Sequence, residues 1–182
     1  MERPKTSRLA LGALYLCIIG VSLSLYARLQ YGSLEDLFFI IKPVVFIVEK
    51  ATGIKFYYNQ SLGFVNQQGD VVINQACAGI RFWMAAFSML GLSFVSKIRG
   101  LKKQWLMVLA FILFSYIITV FANASRIIGA IWVLDFSIGK GPSAERLLHQ
   151  SIGVLFYWTY LLITYGIFSR LFRKEGDYEK II

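Results

Sequence analysis

Four stretches of the chain, residues 9–26, 79–96, 104–122 and 151–168, are apolar over close to the length that a bilayer's hydrocarbon core asks of a helix, about 20 residues. Three of them hold no charged side chain, and the second holds only Arg81. A helix apolar on every side finds a stable home only in a large core or in lipid. In lipid it satisfies its own backbone hydrogen bonds. The pattern therefore predicts an all-α membrane protein, a polytopic helical bundle forming a single domain over residues 1–182. Composition agrees: 57% of the residues are hydrophobic, against roughly 45–50% in soluble domains, and mean hydropathy is +0.62.

The net charge of +9 would suit a nucleic-acid partner. The distribution excludes one, because the bases flank apolar runs and form no single stripe. Arg3, Lys5 and Arg8 precede the first stretch, Lys97, Arg99, Lys102 and Lys103 fill the loop between the second and third, and Arg170, Arg173 and Lys174 follow the last. Excess lysine and arginine marks the cytoplasmic side. Four spans then place both termini, including the tail 169–182, and the loop 97–103 in the cytoplasm of a multi-pass protein of the cytoplasmic membrane. Residues 28–78 and 123–150 face outward, and there the bases nearly balance the acids.

Two shorter apolar stretches, 37–48 and 127–136, do not fit the count. If both crossed, the basic loop would move outside, so they are expected as short re-entrant or interfacial helices. Pro43 supports this for the first, since proline interrupts a helical ladder. The stretch 9–26 has the basic start of a signal peptide but no small-x-small cleavage site after it, which favours a retained anchor. Residues 55–74 differ in kind. Phe56-Tyr57-Tyr58 and Val71-Val72-Ile73 are strand formers separated by turn residues. They predict a small outward β-hairpin turning at Gln68-Gly69-Asp70, with residues 62–65 pairing back. Such a hairpin would either tether two spans or cover a site and offer a strand edge to an extended peptide.

Three polar residues end up on the outward side, each at the end of an apolar stretch. Cys77 lies in the polar, small sequence Asn74-Gln75-Ala76-Cys77-Ala78-Gly79, just before a long helix. A thiol near a helix N-terminus feels the positive end of the dipole, and a nearby cation favours its thiolate. Arg81, four residues on, shares its helix face. Cys17, at mid-span, reads as a small buried hydrophobe. Arg126, in Asn123-Ala124-Ser125-Arg126, is flanked by apolar sequence on both sides. An arginine there either snorkels to headgroups or faces a cavity as a donor to an oxyanion or carboxylate. Asn123 is three residues earlier on the same face and is expected to orient it. His149 is the single histidine, and hence the default general acid or base near neutral pH. Glu145, four residues before it, is placed to fix its tautomer. One histidine and two distant cysteines make no zinc site, and no phosphate-binding glycine loop is present. Neither metal nor cofactor is expected.

The ordered set Ala76-Cys77-Ala78-Gly79-Ile80-Arg81, Asn123-x-x-Arg126 and a late His149 resembles the exosortase/archaeosortase family, over residues 36–170. The short chain looks like a compact member, of the exosortase K type. The resemblance implies a membrane-embedded cysteine protease-transpeptidase with Cys77, Arg126 and His149 as its catalytic residues. It implies substrates that are secreted proteins ending in a short motif, a transmembrane helix and a basic cluster, cut on the outer side within membrane lipid. It further implies that Cys77 attacks the scissile carbonyl, Arg126 stabilises the oxyanion or positions substrate, and His149 protonates the leaving amine. The acyl group would pass to an acceptor amine or to water. The residues alone leave two other readings open. One is a small transporter or channel with Arg126 and His149 lining a polar pathway, against which stands the lack of an internal repeat. The other is a structural membrane subunit.

Overall fold

A computed structural model describes residues 5–137 and 142–178, without the side chains of residues 5–8, 28, 30, 134–137, 142–150, 152 and 174–178. Its helices are α1 (Lys5–Gln30), α2 (Phe38–Thr52), α3 (Ile80–Phe94), α4 (Leu101–Ser137) and α5 (Pro142–Tyr178). Three strands, β1 (Phe56–Asn59), β2 (Gly63–Asn66) and β3 (Val72–Ile73), lie between α2 and α3. Among the described residues four segments are apolar enough, by length and composition, to cross a membrane: Leu9–Ala27, Gln75–Lys97, Leu101–Val133 and Gly153–Arg173. The protein is an all-α polytopic bundle carrying one small sheet.

The second of these segments is 61% buried and the last only 6%, so α3 is the central helix and α5 a peripheral one. Against α3, α1 runs antiparallel. Ile18 lies where a side chain on Gly91 would stand, the Ser22 and Ser88 hydroxyls pair at 3.1 Å, and Gln75 Nε2 donates to the Gly32 carbonyl at 3.1 Å. Small residues let membrane helices approach closely where water offers no hydrophobic drive. At the basic-loop end Gln104, buried, donates to the carbonyl of Ile98 at 3.0 Å and closes the turn from α3 into α4. A cluster of Phe94, Phe111, Phe114, Phe168 and Phe172 fills the space between α3, α4 and α5 there. The sheet and α2 belong to the opposite end.

Three expectations are corrected. Residues 127–136 are no separate helix: α4 continues through them to Ser137. The reason is packing, since Ile127 and Ile131 are buried in a cluster with Ile40, Val44 and Val48 of α2, so that this length of α4 has a protein partner. With 37 residues, α4 is about 55 Å long, well beyond a hydrocarbon core of about 30 Å. Second, α5 continues past its expected span to Tyr178, within the expected tail; at its start, Pro142 sits where a missing amide costs nothing. Third, residues 55–74 form a three-stranded antiparallel meander, not a two-stranded hairpin. The turn at Gly69 (φ +81°) is present, with Phe64 opposite Ile73. The added feature is a second pairing: residues 56–58, expected as strand formers, lie in β1 and pair with β2, Phe56 opposite Asn66. Asn59 organises the extra turn, its Oδ1 accepting from the amides of Ser61 (2.9 Å) and Leu62 (3.1 Å), an Asx turn.

Helix α2 runs unbroken through Pro43. At about 22 Å for its 15 residues, it is too short to span. It ends in a left-handed glycine cap, the Gly53 amide donating to the Glu49 carbonyl at 2.9 Å. The Glu49 carboxylate accepts the Phe56 amide at 2.9 Å and so ties β1 to α2.

Candidate active site at the end of the bundle away from the basic loop

Cys77 sits at the end of a 3-10 turn, Gln75–Cys77, that joins β3 to α3. Asn74 builds this turn: its Oδ1 accepts the Ala76 amide at 3.0 Å and its carbonyl accepts the Cys77 amide at 2.9 Å. The thiol is half-buried against the α2–α4 apolar cluster. Gly79 then takes a left-handed conformation (φ +66°) as the N-cap of α3. The first α-helical bond runs from the Trp83 amide to the Gly79 carbonyl at 3.0 Å. The three amides ahead of it belong to Ile80, Arg81 and Phe82, and the open donors of a helix's first turn attract negative charge.

Asn123 is fully buried on α4 directly beneath this turn. Its Nδ2 donates to the Ala78 carbonyl at 3.0 Å, and its Oδ1 accepts the Tyr157 hydroxyl of α5 at 2.6 Å. Any Cβ at position 79 would overlap the Asn123 amide, so glycine is required there both for its φ and for space. These bonds correct the expectation that Asn123 orients Arg126: it holds the Cys77 turn instead.

Arg126 lies one turn further along α4. Its stem passes over Gly153 of α5, where an added Cβ would stand 3.2 Å from Cδ. Its guanidinium carbon sits 5.5 Å from the centre of the Tyr157 ring, a cation–π contact. The other neighbour of that ring is Phe82, stacked at 4.6 Å between centres. Arg126 Nε is buried and has no hydrogen-bond partner among the described residues, and an unpaired buried donor is costly. A cavity of about 570 Å³ opens here, lined by Gln75, Ala76, Gly79, Ile80, Arg81, Phe82, Arg126 and Tyr157. Cys77 is not among the lining residues, although its neighbours Ala76 and Gly79 are.

The structure thus brings together the Cys77 turn, Arg81, Asn123 and Arg126. His149 and Glu145 are in the first turns of α5, but their side chains lie outside the described residues. By helical spacing His149 shares a face of α5 with Gly153 and Tyr157, four and eight residues on. Sequence reasoning missed Gly79, Gly153 and Tyr157. The two on α5 carried a readable signal in that spacing from the single histidine.

The sequence profile of the transmembrane exosortase family (EpsH) matches residues 5–166. Neither the curated proteins nor the solved structures yielded a match. The chain belongs to the transmembrane exosortase family, membrane-embedded protein-sorting transpeptidases.

Proposed function

We propose that this protein is a cysteine transpeptidase or protease that cuts the C-terminal sorting signals of secreted proteins on the outer side of the membrane. The observation that carries the reading is the meeting of the Cys77 turn and Arg126 at one cavity, at the end of the bundle away from the basic loop. The charge rule makes that end the outward one, with both termini in the cytoplasm.

The Cys77 thiolate adds to the scissile carbonyl carbon, and the carbonyl π pair moves onto oxygen. Arg126, whose Nε has no partner among the described residues, stabilises that oxyanion or holds the substrate. The pair then returns, the C–N bond breaks, and the amine departs with a proton from His149. A thioester remains on Cys77. An acceptor amine or water adds to it and releases the thiol. The Cys77 amide already donates to the Asn74 carbonyl, so the oxyanion must draw on Arg126 or on the first turn of α3. Substrates would carry a short motif, a transmembrane helix and a basic cluster.

Co-expression with a tailed secreted protein tests the reading. Cys77→Ala should abolish processing while the variant accumulates normally in the membrane, and hydroxylamine should capture the acyl group from wild type alone. Full processing by Cys77→Ala would show that the chemistry lies elsewhere.

A further inference from the structure

We infer that Tyr157 is a positioning residue which sets the Cys77 turn against Arg126 and against the helix that carries His149. The inference rests on the proposed thiol chemistry and adds to it a residue that does not itself react.

Three observations meet at this side chain. Its hydroxyl donates to Asn123 at 2.6 Å, and Asn123 in turn donates to the Ala78 carbonyl at 3.0 Å. The chain of bonds therefore runs from α5 through α4 to the residue after Cys77. Its ring carries Arg126 5.5 Å from its centre and stacks on Phe82, in the first turn of α3. Its own helix presents Gly153 beneath the Arg126 stem and, by spacing, His149 one turn earlier. One residue thus touches the strut under the nucleophile's turn, the cation, and the element bearing the proton donor.

The sequence offers few other ways to fix these elements to each other. Helix α5 is the least buried of the spans. Its described side-chain hydrogen bonds to α4 are this one and the Tyr160–Ser125 hydroxyl pair at 2.8 Å. In lipid, apolar contacts alone choose helix register weakly, and polar contacts supply it. Loss of the Tyr157 hydroxyl would leave the rings stacked but would free Asn123 Oδ1 in a buried site and let the α5 register drift. Catalytic groups held even 1 Å from their working geometry lose roughly a hundredfold in rate.

The test uses the full-length protein in proteoliposomes, in a Cys17→Ala background so that Cys77 is the sole thiol, with a tailed peptide substrate. Tyr157→Phe should lower kcat by about ten- to a hundredfold with KM within about twofold, and should change the rate of Cys77 alkylation by a neutral maleimide at least threefold, in protein that stays folded at the assay temperature. Asn123→Ala removes the acceptor for Tyr157 together with the donor to Ala78. It should reproduce the alkylation change even if Tyr157→Phe fails to fold. Wild-type kcat and alkylation in Tyr157→Phe would overturn the inference, as would a loss of kcat matched by loss of folded protein in both variants. If Cys77→Ala stays active, the thiol chemistry itself falls, whatever Tyr157 does.

Discussion

The Tyr116 hydroxyl donates to the carbonyl of Phe39 at 2.6 Å, the acceptor that would take the amide of residue 43 if that residue were not proline. Helix α2 survives its internal Pro43 because a side chain from α4 supplies the missing donor. The two residues should therefore be coupled. Tyr116→Phe leaves the carbonyl without a donor and should cost about 1–2 kcal/mol. Pro43→Ala returns an amide to that carbonyl, so the same tyrosine change made in Pro43→Ala should cost well under half as much. Thermal melts of the four proteins in one detergent give the cycle. Equal costs in both backgrounds would mean that the hydroxyl contributes nothing through this bond.

Position 79 should tolerate no side chain. Alanine at φ +66° carries a left-handed penalty of roughly 1–2 kcal/mol, and its Cβ also overlaps the Asn123 amide. Gly79→Ala should lower the melting temperature and abolish processing. Adding Asn123→Ala removes the overlap and should recover part of the stability but none of the activity, because the strut to Ala78 is then gone. A double variant no more stable than Gly79→Ala would point to φ alone.

The spans were legible because hydropathy acts over whole helices and leaves a long signal. What it could not convey was where a helix stops once it leaves the bilayer. Residues 127–136 read as a short separate element, yet Ile127 and Ile131 are buried against α2 and carry α4 onward. That pairing is tertiary and leaves no local mark. Pro43 misled for the same reason, since its remedy lies on Tyr116, 77 residues from the Phe39 carbonyl it serves. Residues 56–58 read as a strand former, but their pairing with β2 across the Asn59–Ser61 turn did not, because a four-residue strand, Phe56–Asn59, shows hardly two periods of alternation from which to choose a partner. In the site, Asn123 was singled out for the right helix face but assigned the wrong neighbour. Its face meets both Arg126 and the Cys77 turn, and only the geometry shows which one takes its bonds.

Glu49 should matter to the sheet through one bond rather than through charge. Its Oε1 accepts the Phe56 amide at 2.9 Å, while its ion pair with Lys55 is long, 3.9 Å, and the lysine is exposed. Glu49→Ala should cost about 1–2 kcal/mol and open residues 55–74 to protease. Lys55→Ala should cost no more than about 0.5 kcal/mol. Glu49→Gln keeps an acceptor and should protect the segment nearly as well as wild type. Equal protease sensitivity in Glu49→Gln and Glu49→Ala would shift the role to charge.

Gly153 offers the sharpest separation of stability from function. Within a helix, glycine to alanine normally stabilises by about 0.5–1 kcal/mol. Here the new Cβ would stand 3.2 Å from Arg126 Cδ, tighter than ordinary contact, and an ordinary 3.8 Å from Nη1, so the arginine stem must move by a few tenths of an ångström. Arg126 has slack to do so, since its Nε is held by no described partner and the cavity lies beside it. The fold should accept the change and the site should not. Gly153→Ala is expected to melt at or slightly above the wild-type temperature while processing falls about tenfold, a fraction of the hundredfold that a full 1 Å displacement can bring. Gly153→Leu should push the guanidinium off the Tyr157 ring and fall further. If Gly153→Ala gains stability and keeps full activity, the position of Arg126 is not critical to the chemistry, and its role would be to hold substrate loosely rather than to meet a developing charge.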